Sequence, residues 1–159
     1  MSEFVKIVEV GPRDGLQNEK TPLTLEQRKA LILDLMKTGL KSIEVGSCVS
    51  AKWVPQMAQS DVLFAQLPKD PNIQFSLLTP NSKGFEAARA VGCQEVAVFT
   101  AASESFTQKN INCSIDESLE KFSDVMAAAK ASNIKVRGYV SCMVDCPYEG
   151  AIDPQRVAK

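Results

Sequence analysis

VKIVEVGPRDGLQNEK (residues 5–20) is the stretch that organises the reading of this chain. Apolar and charged residues alternate from Val5 to Val10 and then stop at Gly11-Pro12. Period-two alternation of this kind predicts a half-buried strand, and Gly-Pro marks its end. Arg13 and Asp14 follow at once, before Gly15. The pattern presents a cation and a carboxylate at the end of the strand.

Downstream, the same strand-then-helix alternation recurs. Thr24 and Gln27 form a capping box that opens a first helix, with Leu25, Ile32, Leu35 and Met36 on one face and Gly39 past its end. Strands are expected over residues 41–45, 73–78, 95–99 and 134–141. Between them, a second helix is expected over residues 55–67, and a third is capped by Asn81 and ends at Gly92. A fourth opens on the Ser114/Glu117 capping box and buries Leu119, Phe122, Met126 and Ala129 at helical spacing. Residues 100–113 read as a long polar loop, and Asp153-Pro154 as the start of a fifth helix. GLKSIEVGS (residues 39–47), GCQEVAVFT (92–100) and NIKVRGYVS (133–141) echo one another as helix end, link and strand.

Alternating strands and helices predict an α/β fold with a parallel sheet, either doubly wound or a (β/α) barrel. Polar residues gather at strand ends: Arg13-Asp14, Glu44 with Ser47, Thr79, Ser103 and Ser141. A barrel would bring all of them to one mouth. No GxGxxG or P-loop sequence follows any strand. The expectation is therefore a (β/α)8 TIM barrel of which about the first five strands and four helices are present. The count suggests the N-terminal part of a longer protein.

Bulk properties narrow the function. At 159 residues and net charge −1, nothing favours nucleic acid or an anionic membrane as a partner. No apolar run approaches the ~18 residues of a membrane span. MSEFVKIVEV lacks the basic and apolar regions of a leader, so a cytoplasmic location is expected. The cysteines (Cys48, Cys93, Cys113, Cys142, Cys146) are odd in number and read as reduced thiols rather than a disulfide framework or a zinc site. There is no histidine, which excludes any His-based triad within the chain.

Several segments together resemble the 3-hydroxy-3-methylglutaryl-CoA lyase family: VGPRDGLQNEK (residues 10–20), SIEVGSCVSAKWVPQM (42–57), LTPNSKGFEAA (78–88), ASESFTQKNINCSIDES (102–118) and VRGYVSCMVDCPYEG (136–150). The resemblance covers essentially the whole chain, residues 1–159, as the N-terminal part of a pyruvate carboxyltransferase-like TIM-barrel domain. It implies cleavage of 3-hydroxy-3-methylglutaryl-CoA to acetyl-CoA and acetoacetate, as in leucine breakdown, with a divalent cation (Mg or Mn) as cofactor. The alternatives are a related acyl-CoA aldolase or synthase on the same barrel, or a noncatalytic acyl-CoA-binding module. A homodimer is an open alternative for the assembly.

By that resemblance Arg13 is the catalytic arginine and Asp14 the first-strand metal ligand. Read without it, Asp14 before Gly15 is equally a turn residue. Glu44, an acid amid apolar neighbours, is taken as catalytic through a pairing with Arg13, because a buried carboxylate needs a partner. Substrate contacts are expected from Arg13, Gln17, Lys20, Ser47, Asn110, Tyr139 and Ser141. Arg137, Tyr139 and Ser141 alternate along one strand and share a face. The family's His-x-His pair, Asn ligand and catalytic cysteine belong to later segments. The chain alone is accordingly expected to bind metal poorly and not to turn over.

Overall fold

The computed structural model describes residues 5–158. The readings of residues 1–4 as free of a leader and of Lys159 as lying inside a helix fall outside those residues. Four strands, β1 (Ser42–Ser47), β2 (Gln74–Leu78), β3 (Glu95–Ala101) and β4 (Lys135–Ser141), form one parallel sheet in the order β1-β2-β3-β4. Each new strand is added beside the last, and the order never reverses as it does in a doubly wound sheet. Helices α1 (Leu25–Met36), α2 (Ser60–Ala65), α3 (Ser82–Ala90) and α5 (Ile115–Ala131) supply the other half of the main core. There Ile43, Val45, Phe75, Leu77, Val96 and Val98 from the strands pack with Ile32, Leu63, Phe85, Phe122 and Val125 from the helices. Ser42, Glu44, Ser76, Glu95, Arg137 and Tyr139 alternate with those residues and so belong to the opposite, polar face.

One contact measures the curvature. β1 and β4 are three strand positions apart, about 14 Å in a flat sheet. Yet the Tyr139 hydroxyl of β4 donates to Glu44 Oε2 of β1 at 2.9 Å. The sheet is therefore strongly curled, with the polar face inside. Small side chains on the middle strands, Ser76 and Ala97, leave room for the two to meet. A curled, sequentially ordered parallel sheet with its helices outside is the wall of a TIM barrel.

Local chemistry explains most boundaries. The Thr24/Gln27 and Ser114/Glu117 capping boxes both form, and Asn81 accepts from Gly84 N. Gly39 and Gly92 take positive φ, at +90° and +79°.

Four expectations are corrected. The opening strand is reduced to one parallel bridge, Glu9 to Ile43, so the sheet has four strands rather than five. Val5 and Ile7 are 76% and 68% exposed, so alternation there has no apolar layer to bury against among the described residues. The chain instead winds into a π-turn, Gly11–Gly15, with Asp14 N donating to Val10 O at 2.7 Å.

The helix expected over residues 55–67 is broken into a 3-10 turn, Pro55–Met57, and α2. Gln59 between them sits at φ 58°, and Ala58 O is taken by Arg28 Nη1 at 2.7 Å. Buried Arg28 also donates to Ser60 Oγ at 2.9 Å, and that oxygen accepts from Ser47 N at 3.1 Å. Burial lowers the Arg28 pKa. Gly46 is obligatory beside this knot, because a Cβ there would lie 2.4 Å from Ser60 Oγ.

The expected loop at 100–113 contains helix α4 (Glu104–Ile111), capped by Ser103. Leu119 and Met126 are each 50% exposed rather than buried, because α5 overhangs β4, the last strand of the sheet. They border an apolar hollow of about 560 Å³ with Phe122 and Val140. After β4, a two-residue hairpin of β5 (Asp145–Cys146) and β6 (Gly150–Ala151) leads to α6 (Pro154–Ala158).

Candidate active site

At the end of the sheet where β4 finishes lies a cavity of about 660 Å³, within the range of small-molecule sites. Arg13, Asp14, Gln17, Asn110, Tyr139 and Ser141 line it, together with Val10, Phe99, Phe106 and Met143. Six expected residues thus come together from the π-turn and the residues just after it, α4 and β4. Two do not. Ser47 borders a separate hollow of about 260 Å³ near α3, and Lys20 is exposed on the loop beyond the π-turn. Glu44 is fully buried and lies beneath the cavity rather than in its lining.

Arg13 is the organising group. Its Nε donates to Glu44 Oε1 at 2.5 Å and its Nη1 to Asp14 Oδ1 at 2.7 Å. The guanidinium carbon lies 5.9 Å from the centre of the Tyr139 ring. Nη2 makes no hydrogen bond among the described residues, so its two N–H groups are left to a ligand while the bonds of Nε and Nη1 hold the plane of the group. The π-turn is what aims it: the bonds of Arg13 N and Asp14 N to Val10 O turn the two side chains out of the strand line.

Glu44 spends both oxygens, one on Arg13 and one on Tyr139. The expected pairing with Arg13 is present, and the carboxylate acts on a ligand only through Arg13. Arg137 Nη1 donates to the Tyr139 hydroxyl at 3.2 Å and Arg137 Nη2 binds Glu95, so the network runs Arg13–Glu44–Tyr139–Arg137–Glu95 along the inner face. Burial is the first cause raising the Tyr139 pKa, and the nearby Glu44 carboxylate adds to it, so the phenol stays protonated as the donor. Burial works against the Arg137 cation, but its bonds to Tyr139 and Glu95 win and raise its pKa.

Asp14 is largely exposed, its side chain 57% accessible, and its second carboxylate oxygen has no partner among the described residues. A hard divalent cation takes about six oxygen ligands. Among the described residues no group of three or more His, Cys, Asp or Glu is arranged to hold a metal. The donor set of this chain therefore does not by itself fit such an ion.

Phe99, Phe106 and Met143 give the cavity its apolar wall and were not singled out from sequence. Their only signal is apolar character next to polar strand ends.

Similarity to known proteins agrees with this geometry. The family model described as HMGL-like matches residues 4–159. A hydroxymethylglutaryl-CoA lyase from Pseudomonas mevalonii is 57% identical over 99% of this chain and 52% of its own length. The crystal structure of hydroxymethylglutaryl-CoA lyase from Pseudomonas aeruginosa superposes with a TM-score of 0.93 at 56% identity, over 97% of this chain and 51% of that one. An HMG-CoA lyase from Acinetobacter baumannii, solved with coenzyme A and 3-methylmalate, gives 0.92 at 29% identity, over 99% and 52%. The chain spans about half the length of the curated relatives it matches. With its sequentially ordered sheet, helices outside and the Arg13-Asp14 turn at the strand ends, this chain belongs to the HMGL-like family.

Proposed function

We propose that this chain supplies the N-terminal part of a site that cleaves 3-hydroxy-3-methylglutaryl-CoA to acetyl-CoA and acetoacetate. The observation that carries the reading is Arg13, a guanidinium locked by Glu44 and Asp14 that lines a cavity with its Nη2 unbonded among the described residues. In this retro-Claisen cleavage the tertiary hydroxyl loses its proton, the carbon–carbon bond breaks, and the electron pair leaves as the enolate of acetyl-CoA. Charge develops on the thioester oxygen. A fixed donor aimed there stabilises the transition state without reorganising. Arg13 is the catalytic residue of this reading, and Glu44 and Tyr139 are positioning residues that hold it. Gln17, Asn110 and Ser141 are the proposed polar contacts to the acyl-CoA, with Phe99, Phe106 and Met143 against its apolar part.

Lys20 and Ser47 do not line the cavity and would take part only if the loop carrying Lys20 or the end of β1 moved. Asp14 is proposed as one oxygen ligand for a Mg or Mn ion whose other ligands are not on this chain. Five free thiols support a reducing compartment such as the cytoplasm.

The test joins this chain to the C-terminal half of the Pseudomonas mevalonii relative and measures acetoacetate released from 3-hydroxy-3-methylglutaryl-CoA. A folded chimera that releases none overturns the reading, and so does an Arg13→Met chimera of undiminished kcat. The chain by itself is expected to be inactive and to bind Mn weakly. Strong acyl-CoA binding with no turnover by the folded chimera would instead favour a noncatalytic acyl-CoA-binding module, which the absence of histidine also fits.

A further inference from the structure

The hollow of about 260 Å³ lies outside the machinery just described, at the end of β1 and against the first turn of α3. Ser47, Gln59, Asp61, Asn81, Lys83 and Gly84 are among the residues lining it. Because the sheet is parallel, this hollow shares the strand-end face of the fold with the cavity beside β4. Three features give it donors and positive charge. First, α3 opens beside it. Asn81 Oδ1 takes Gly84 N at 3.0 Å, while the Ser82 and Lys83 amides have no acceptor among the described residues. Gly84 lets this turn close on the chain leaving β1, since a Cβ there would lie 2.8 Å from Cys48 O. Second, Ser47 is 1% exposed and its hydroxyl has no partner among the described residues, so a buried donor is left over in the wall of the hollow. Third, Arg28, 2% exposed, stands behind that wall and donates from Nη2 to Ser60 Oγ at 2.9 Å. Among the described residues no carboxylate pairs with Arg28, and its Nε has no partner. A buried cation without a counter-ion is costly, and an anion nearby offsets that cost. Lys83 adds a second, exposed cation, and Asp61 is the one carboxylate in the lining that opposes them.

We propose that this hollow binds a tetrahedral oxyanion of the phosphate class, held by the Ser47 hydroxyl, the Lys83 ammonium and the first-turn amides of α3, in the field of buried Arg28. The donors come from β1, from a helix end and from a side chain at the rim. A group with acceptor oxygens on several sides uses all of them at once, which a chloride ion does not. The helix end adds its own positive partial charge. Two sources carry this chemistry: free inorganic phosphate, and a phosphate borne by a nucleotide such as the tail of an acyl-CoA lying across the strand ends. Either would tie the end of β1 to α3. No bond is made or broken at this site, and the proposal requires nothing of the lyase reading.

The test follows the backbone amide resonances of the intact chain while inorganic phosphate, or adenosine 3′,5′-bisphosphate, replaces chloride at constant pH and ionic strength. The Ser47, Lys83 and Gly84 amides should shift along one saturating curve. Lys83→Met should weaken binding about tenfold and Ser47→Ala about threefold, while Asp61→Asn should tighten it severalfold. Lys83 is exposed and Asp61 half-buried, so both variants keep the fold. Saturation by both probes supports a site for phosphate itself, and saturation by the nucleotide alone supports a site for a nucleotide-borne phosphate. Shifts that grow linearly without saturating mean an adventitious ion only and would overturn the proposal. So would a saturating response that Lys83→Met and Asp61→Asn both leave unchanged. The wild-type titration stands even where Ser47→Ala fails to fold.

Discussion

Glu44→Ala tests the centre of the structure. Glu44 is wholly buried, and Arg13 is only 11% exposed at its side chain. Removing one member of a buried ion pair leaves the other uncompensated, at about 3–5 kcal/mol. Asp14 still faces Arg13 Nη1 at 2.7 Å, which places this loss at about 3 kcal/mol. Tyr139 loses its acceptor as well, adding about 1 kcal/mol. With a urea slope of about 2 kcal/mol per molar, the unfolding midpoint should fall by about 2 M. Far-UV circular dichroism is the suitable signal, because Trp53, the one tryptophan, is 81% exposed and a poor reporter of the core. The decisive comparison is the pair Arg13→Met with Glu44→Leu. A buried pair replaced by apolar groups of similar size costs little, so the double variant should be more stable than Glu44→Ala alone. A Glu44→Ala loss under about 1 kcal/mol, or a double variant as unstable as the sum of the singles, would refute the reasoning.

Other elements give independent checks. Gly46→Ala should cost about 1–3 kcal/mol by overpacking against Ser60, read as a lower thermal midpoint. Thr24→Ala should cost about 1 kcal/mol by opening the α1 capping box, measured by urea unfolding. The Glu149 carboxyl is held at about 2 rather than 4.5, first by the Ser105 amide and then by the Ser103 hydroxyl. Its pKa is lower folded than unfolded, so its contribution is complete above pH 4.5 and drains away as pH falls toward 2. The Ser105 amide resonance should follow that titration, and Glu149→Gln should abolish it. Leu119→Ser with Met126→Ser should reduce concentration-dependent association in sedimentation, because both residues expose an apolar face.

What could be read from sequence was local. Both capping boxes and the Asn81 cap depend on residues three apart, and all three form. The Arg13–Glu44 pairing was legible because an acid in an apolar strand demands a cation and Arg13 stands at the end of the preceding segment. Tyr139 as the third member was not legible. Its meeting with Glu44 depends on the curl of the whole sheet, which no single segment encodes. Helix α4 was missed for a related reason. It buries little of itself, and its cap Ser103 is secured by Glu149, 46 residues away. The opening strand failed in the other direction, since its alternation is clear but the described residues offer no layer to cover Val5 and Ile7.

The Glu44 junction also orders events in time. Its bond to Arg13 closes a loop of 31 residues, and its bond to Tyr139 one of 95. Loop-closure entropy makes the second about 1 kcal/mol dearer than the first. As a growing chain leaves the ribosome, the arginine can find its carboxylate while β4 is still unmade. The tyrosine arrives last and locks a pair already formed, so Tyr139 substitutions should accelerate unfolding more than they slow folding.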